Sequence, residues 1–130
     1  MLTVLSLNIS ANIEAIKMNS ILSSIKKLLG IQESYEVFDT DIIIHINTAF
    51  AILNQLGIGP DEGFMIEGSD KSWDEFAEGN KQKMAKSFIY IHVRLAFDPP
   101  SSTALLESMK RTLDELTWRL EIEGQSGTSD

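Results

Sequence analysis

The chain has 130 residues, 43% hydrophobic and 23% charged, which suits one globular domain with enough apolar side chains for a core. It contains no cysteine, which excludes disulfides and thiolate metal sites. Its 11 basic and 19 acidic side chains leave a net charge of −8, so it lacks the counterion-release drive of general nucleic-acid binders.

The opening MLTVLSLNIS has no positive region ahead of its apolar residues and is broken by Thr, Ser and Asn, so it does not read as a signal peptide. No uninterrupted apolar run reaches the ~18 residues a membrane-spanning helix needs. Residues 1–17 otherwise say little. A helix from Ala11 would hold Ile13, Ile16 and Ile21 in rough period, yet Met18 could equally be the structural start, with residues 1–17 an extension.

From Met18 to Leu29 the pattern is helical. Met18, Ile21, Ile25 and Leu28 form a stripe with Leu22 and Leu29 at its edge, and Ser23, Lys26 and Lys27 are assigned to water. The lysines complement the helix dipole in the last turn, and Gly30 ends the helix. Ile31 to Val37 reads as a short connection with an exposed turn at Gln32-Glu33-Ser34.

The clearest amphipathic helix lies between Phe38 and Pro60. Ile42, Ile46, Ala49, Leu53 and Leu56 recur at spacings of four and three, flanked by Ile43 and Phe50. Asp39 or Thr40 is the expected N-cap, Gly57 the left-handed residue at the end, and Pro60 the stop. Ile44 points almost opposite the stripe, beside Ala51, and Ile52 lies to one side, so the helix is expected to have two partner surfaces and to sit in the middle of a bundle.

Gly57 to Ser72 is a long irregular stretch, of the kind that is functional or mobile in compact domains. Phe64, Met65 and Ile66 are apolar within it, so part of it is tacked down or meets a partner. Ser72-Trp73-Asp74-Glu75 reads as a capping box, opening a helix of about two turns that Gly79 would end. Residues 81–97 fit two patterns. Ile89, Ile91, Val93 and Leu95 alternate as in a strand, whereas a helix puts Lys83, Lys86, Tyr90 and Arg94 on one polar stripe. The helix is preferred, because no turn signal precedes the apolar run and no second strand offers pairing. Asp98-Pro99-Pro100 then breaks the chain.

Ser101 or Ser102 caps the last helix, whose stripe is Leu106, Met109, Leu113, Leu116 and Leu120. Glu107–Arg111 and Glu115–Arg119 are spaced as ion pairs, and Trp118 lies off the stripe near Arg111 and Ile122. Residues 124–130 are small and polar and are expected to fray. The result is an all-α fold. It is a small bundle of about four main helices plus one short helix, with a long loop before the short one. Residues 1–17 form an extension, 18–123 the helical domain and 124–130 a flexible tail.

No catalytic set emerges. GIGP and EGSDKS do not match a phosphate loop or a dinucleotide fingerprint. Asp41 and His45, four apart on the central helix, could share a metal with His92, but three scattered ligands fall short of a full zinc set, and no metal or cofactor is expected. Asp74/Glu75 and Asp114/Glu115 read as solvated surface. The aromatics are more informative. Trp118 with Arg111 and Ile122, Trp73 and Phe76 on the short helix, Phe64 and Ile66 in the loop, and off-stripe Ile44 are candidate interface residues. For Trp118, Trp73 and Phe76 alike, packing within the chain is the equal alternative.

Three stretches carry a family likeness: ILSSIKKLLGI (21–31), FDTDIIIHINTAFAILNQLGIGPDEGF (38–64), and VRLAFDPPSS (93–102) with LDELTWRLEI (113–122). In this order and spacing the chain resembles the head–tail connector, or adaptor, proteins of long-tailed bacteriophages and prophages, from Met18 to about Ile122. The resemblance implies a mostly helical, non-enzymatic structural protein without cofactor. It would form a ring, a dodecamer matching the portal, beneath the portal protein. The ring extends the DNA channel, through which DNA passes without specific binding, and is a platform for a downstream stopper or tail-completion protein. The location implied is the virion head–tail interface, with host cytoplasm during assembly and no membrane. Trp118, Arg111, Ile122 and the tail would then make subunit or portal contacts, and the 57–76 region would face a neighbour or the channel. Two rival readings remain. One is a small acidic regulator of antitoxin type that binds a basic partner, which would call for a disordered acidic segment. The other is a metal-dependent hydrolase using Asp41, His45 and His92.

Overall fold

The computed structural model describes residues 19–126. Within them the chain forms five helices: α1 (Ile21–Leu28), α2 (Asp39–Gln55), α3 (Trp73–Phe76), α4 (Gly79–Phe97) and α5 (Thr103–Ser126). No strand occurs among the described residues, only an isolated bridge between Ser20 and Ser72 that ties the start of α1 to the start of α3. The small all-α bundle expected from the sequence is therefore the fold observed. The expected extension, residues 1–17, and the last four residues of the expected tail lie outside the described residues.

The middle position belongs to α4, which packs against both α2 and α5. This corrects the expectation that α2 is central. Phe38 at the start of α2 meets Phe97 at the end of α4, with ring centroids 5.3 Å apart, so these two helices run antiparallel. Met84 near the start of α4 lines a groove with Trp118 and Ile122 near the end of α5, so that pair is antiparallel too.

In α2 the periodic positions Ile42, Ile46, Ala49 and Leu53 are buried, as is Phe50. The helix ends as the glycine demands. Gly57, at φ +83°, donates to the Asn54 carbonyl at 3.0 Å, and Ile58 donates to Leu53 at 2.9 Å. That is the paired closure of a left-handed glycine cap, with both Leu53 and Ile58 in the core. The start differs from expectation. Phe38 occupies the cap position without a side-chain bond, and Asp39 and Thr40 already lie in the helix.

Asp39 is engaged elsewhere. Lys26, assigned to water by the α1 pattern, is only 2% exposed. Its Nζ donates to the carbonyls of Glu33 at 2.9 Å and Tyr35 at 2.8 Å and lies 2.8 Å from Asp39 Oδ1. Three oxygens replace the water that the ammonium gives up, which is why a lysine tolerates this depth. Of the α1 stripe, Ile21 and Ile25 are fully buried and Leu22 joins them, whereas Leu28 is exposed.

The 57–72 segment is folded down onto α2. Ile58 and Ile66 are buried. Asn47 holds Ile66 with both ends of its amide, Nδ2 donating to the Ile66 carbonyl at 2.9 Å and Oδ1 accepting from its amide at 2.8 Å. Phe64 completes an aromatic triangle with Phe50 and Phe76, at centroid distances of 5.0 and 5.4 Å. Gly59 passes so close to the Phe76 ring that a Cβ there would collide with it. After the segment, Glu75 accepts from the Ser72 amide at 2.7 Å, the reciprocal arm of the expected capping box. The helix it opens is a single turn. Gly79 starts α4 rather than ending α3.

In α5, Ser102 Oγ accepts from the Leu105 amide at 3.3 Å, which makes Ser102 the cap. Leu120 is fully buried and Leu113 and Leu116 pack on the core, while Leu106 and Met109 are only half-covered. Glu115 and Arg119 meet at 2.9 Å as expected, but Glu107 lies nearest Lys110, at 3.9 Å, instead of pairing with Arg111. The helix also runs past its expected end. Gly124, Gln125 and Ser126 are helical, and Gly124 is buried against Leu56 and Gly57.

Candidate functional site

The eight candidate residues separate by burial. Trp73, Phe76 and Ile66 lie in the core, and Phe64 is half-buried against Phe50 and Phe76. Trp73 is held by its own chain on both faces of its chemistry: Nε1 donates to Ser24 Oγ at 2.8 Å, and Lys86 lies over the ring at 5.7 Å. In this conformation none of Trp73, Phe76 and Ile66 offers surface to a partner.

Trp118, Arg111, Ile122 and Ile44 are exposed. Trp118 is 60% exposed, a large value for an indole in a folded domain, and Ile122 sits one turn further along the same face. Together with Met84, Arg119 and Glu123 they line a shallow groove where α4 and α5 meet. Arg111 lies two turns earlier on the face that Trp118 presents. Ile44 is 55% exposed on α2, so the described residues leave that side of the helix uncovered.

One exposed apolar group has no counterpart among the candidates. Leu28 near the end of α1 and Tyr35, Val37 and Phe38 before α2 are exposed, and Val37 is the most exposed of them at 69%. Tyr35 packs on Phe38 with centroids 5.7 Å apart. Tyr35, Val37 and Phe38 belong to a non-periodic connection, where helical patterning gives no face to read, whereas Leu28 falls on the sequence stripe of α1. A run of two or more large apolar residues inside a polar turn (Tyr35, Val37, Phe38) is the signal that marks them.

Asp41, His45 and His92 do not form a metal site: among the described residues no three His, Asp or Glu side chains converge in a way that could hold an ion. His92 stacks on Phe88, centroids 6.2 Å apart and planes 16° from parallel. Burial pushes its pKa below 6.5, and the neighbouring His45 adds to the shift. None of the described helices is long and apolar enough to cross a membrane.

Among the described residues the arrangement offers exposed apolar surface and no metal-binding cluster. The model of a family described as phage connector protein matches residues 21–127. No curated protein and no solved structure matches the chain.

Proposed function

This chain belongs to the phage connector protein family, and from that premise we propose that it is an adaptor at the phage head–tail junction, assembling as a ring under the portal. The ring would extend the DNA channel and give the next head-completion or tail protein a platform. Catalysis has no part in this role. The family match over most of the chain is the observation that carries the reading.

Physical features of the chain support it. A net charge of −8 suits a channel wall that DNA passes without adhering. Exposed Trp118 and Ile122 on a 24-residue helix suit a lateral contact between subunits, the head-to-tail kind that rotation closes into a ring. The outer residues of the 57–76 region, Met65 among them, would face a neighbour or the channel. Residues 1–17 would be an appendage to the helical domain. Co-sedimentation with the cognate portal tests the proposal. Comigration is expected, and a small species that stays behind when the portal pellets would overturn it.

A further inference from the structure

A head-to-tail contact between copies needs two different surfaces on each chain, one that inserts and one that receives. The Trp118–Ile122 face of α5 suits the first. Among the described residues, α2 carries the features that suit the second. Between Asp41 and Asp61 the chain has no Asp, Glu, Lys or Arg, although 23% of all its residues are charged. Within that run Ile44, Thr48, Ala51 and Gln55 are exposed, and their spacings of four and three put them on one side of the helix. Elsewhere the exposed helical positions include charges: Lys27 on α1, Lys83 on α4, and Arg111, Asp114 and Glu121 on α5. Depletion of charge is what marks the centre of an interface rather than a solvated face.

This side of α2 continues into a groove of about 850 Å³ where the helix meets the 57–72 segment. Ala51, Asn54, Gln55, Phe64 and Met65 are among the residues that line it. Met65 is 53% exposed there, and a space of this size accepts an indole ring. The charges at the groove are Glu62, Lys71 and Glu75. Lys71 is engaged, donating to the Met65 carbonyl at 2.8 Å, and Glu75 accepts from the Ser72 amide.

Two observations choose a second copy as the occupant. Each chain carries a net charge of −8, so copies repel one another unless they meet where carboxylates are absent. The Ile44–Gln55 side is such a place: Arg111, Asp114 and Glu121, which share α5 with Trp118, find no charge of their own sign on it. The groove beside Trp118 and the groove beside Ala51 also have no lining residue in common, so a copy seated on one leaves the other free for the next. We propose that the outer side of α2, from Ile44 to the groove at Phe64 and Met65, receives the Trp118 and Ile122 side chains of a neighbouring copy. This inference rests on the ring reading above and names the surface that closes it.

The chain has no cysteine, so introduced thiols report single positions. Ala51→Cys and Ile122→Cys, both at exposed positions, are prepared in the full-length protein. Mixed, assembled on the cognate portal and treated with a short bis-maleimide, the two variants should give a dimer of one with the other, and neither should give one alone. Ile44→Lys should raise the concentration needed for half-maximal co-sedimentation with the portal about tenfold, as should Trp118→Ala. The double variant should lose no more than about tenfold, because both changes remove the same contact. A loss of about a hundredfold would mean that the two faces meet different partners and would overturn the proposal. Cross-linking of Ala51→Cys with itself would overturn it in favour of a two-fold contact. So would an Ala51→Cys thiol that a maleimide dye cannot reach in the free chain, since the chain would then cover this face itself. A ring that forms on the portal without the mixed cross-link would overturn this inference and leave the ring reading standing. If the unaltered protein ignores the portal, the ring reading falls and this inference falls with it.

Discussion

The Lys26 ammonium and the Asp39 carboxylate meet at 2.8 Å across the turn that joins α1 to α2, with the lysine 2% exposed. The pair does more than neutralise charge, because the same ammonium satisfies the carbonyls of Glu33 and Tyr35. Lys26→Met should therefore destabilise the fold by about 3–5 kcal/mol, since it strands a carboxylate and two carbonyls at once. Lys27→Met, at the exposed neighbour, should stay within about 0.5 kcal/mol. Urea denaturation of the two variants makes the comparison; equal midpoints would show that the buried ammonium contributes nothing.

Gly124→Ala should also destabilise, although Ala is the better helix former by about 1 kcal/mol. A Cβ at Gly124 overlaps the Leu56 carbonyl oxygen, which is backbone and has little room to move. A loss of about 1–3 kcal/mol is expected from overpacking. A thermal melt reads the sign directly, and a raised Tm would mean that α5 does not approach α2 this closely.

The two tryptophans should part company. Trp73→Ala empties a core position and frees Ser24 Oγ, at a cost of about 3–5 kcal/mol. Trp118→Ala should alter stability by less than about 0.5 kcal/mol while impairing assembly on the portal. Circular dichroism with co-sedimentation separates the effects. Loss of helical signal in the Trp118 variant would assign that residue to folding.

His92 gives the fold a pH dependence of known sign. Its folded pKa lies below 6.5, so over the range beneath that value the unfolded chain binds more protons than the folded one. Stability conferred by neutral His92 is full above the unfolded pKa and declines as pH falls toward the folded pKa. His92→Gln should flatten the decline below about pH 6.5. Urea midpoints on either side of about pH 6 check this, and an unchanged slope in the variant would remove His92 as its source.

Most helices could be read from the chain because their core faces repeat at helical spacing. Ile42, Ile46, Ala49 and Leu53 show this in α2, and the helical choice for 81–97 held for the same reason. Lys26 could not be read this way. Periodicity places it outside, and only the return of residues 33–39 brings three oxygens to its ammonium. The extension of α5 to Ser126 was hidden likewise, since Gly124 looks like a helix terminator until Leu56 and Gly57 are seen against it. The central place of α4 depends on how helices stack, which no single helix's pattern encodes. The off-stripe positions of Trp118 and Ile122 agree with their exposure, whereas off-stripe Ile44, read as the mark of a second partner surface within the bundle, is exposed. Burial at Trp73 and Phe76 was not, because a one-turn helix has too few residues to define a face.

Negative-stain electron microscopy of the protein mixed with its cognate portal tests the connector role most directly. A layer of density added to one face of the portal ring, with the portal's own symmetry, is the predicted result. Portal rings indistinguishable from those without the protein, with the 14.5 kDa chain left as a small free species, would contradict it.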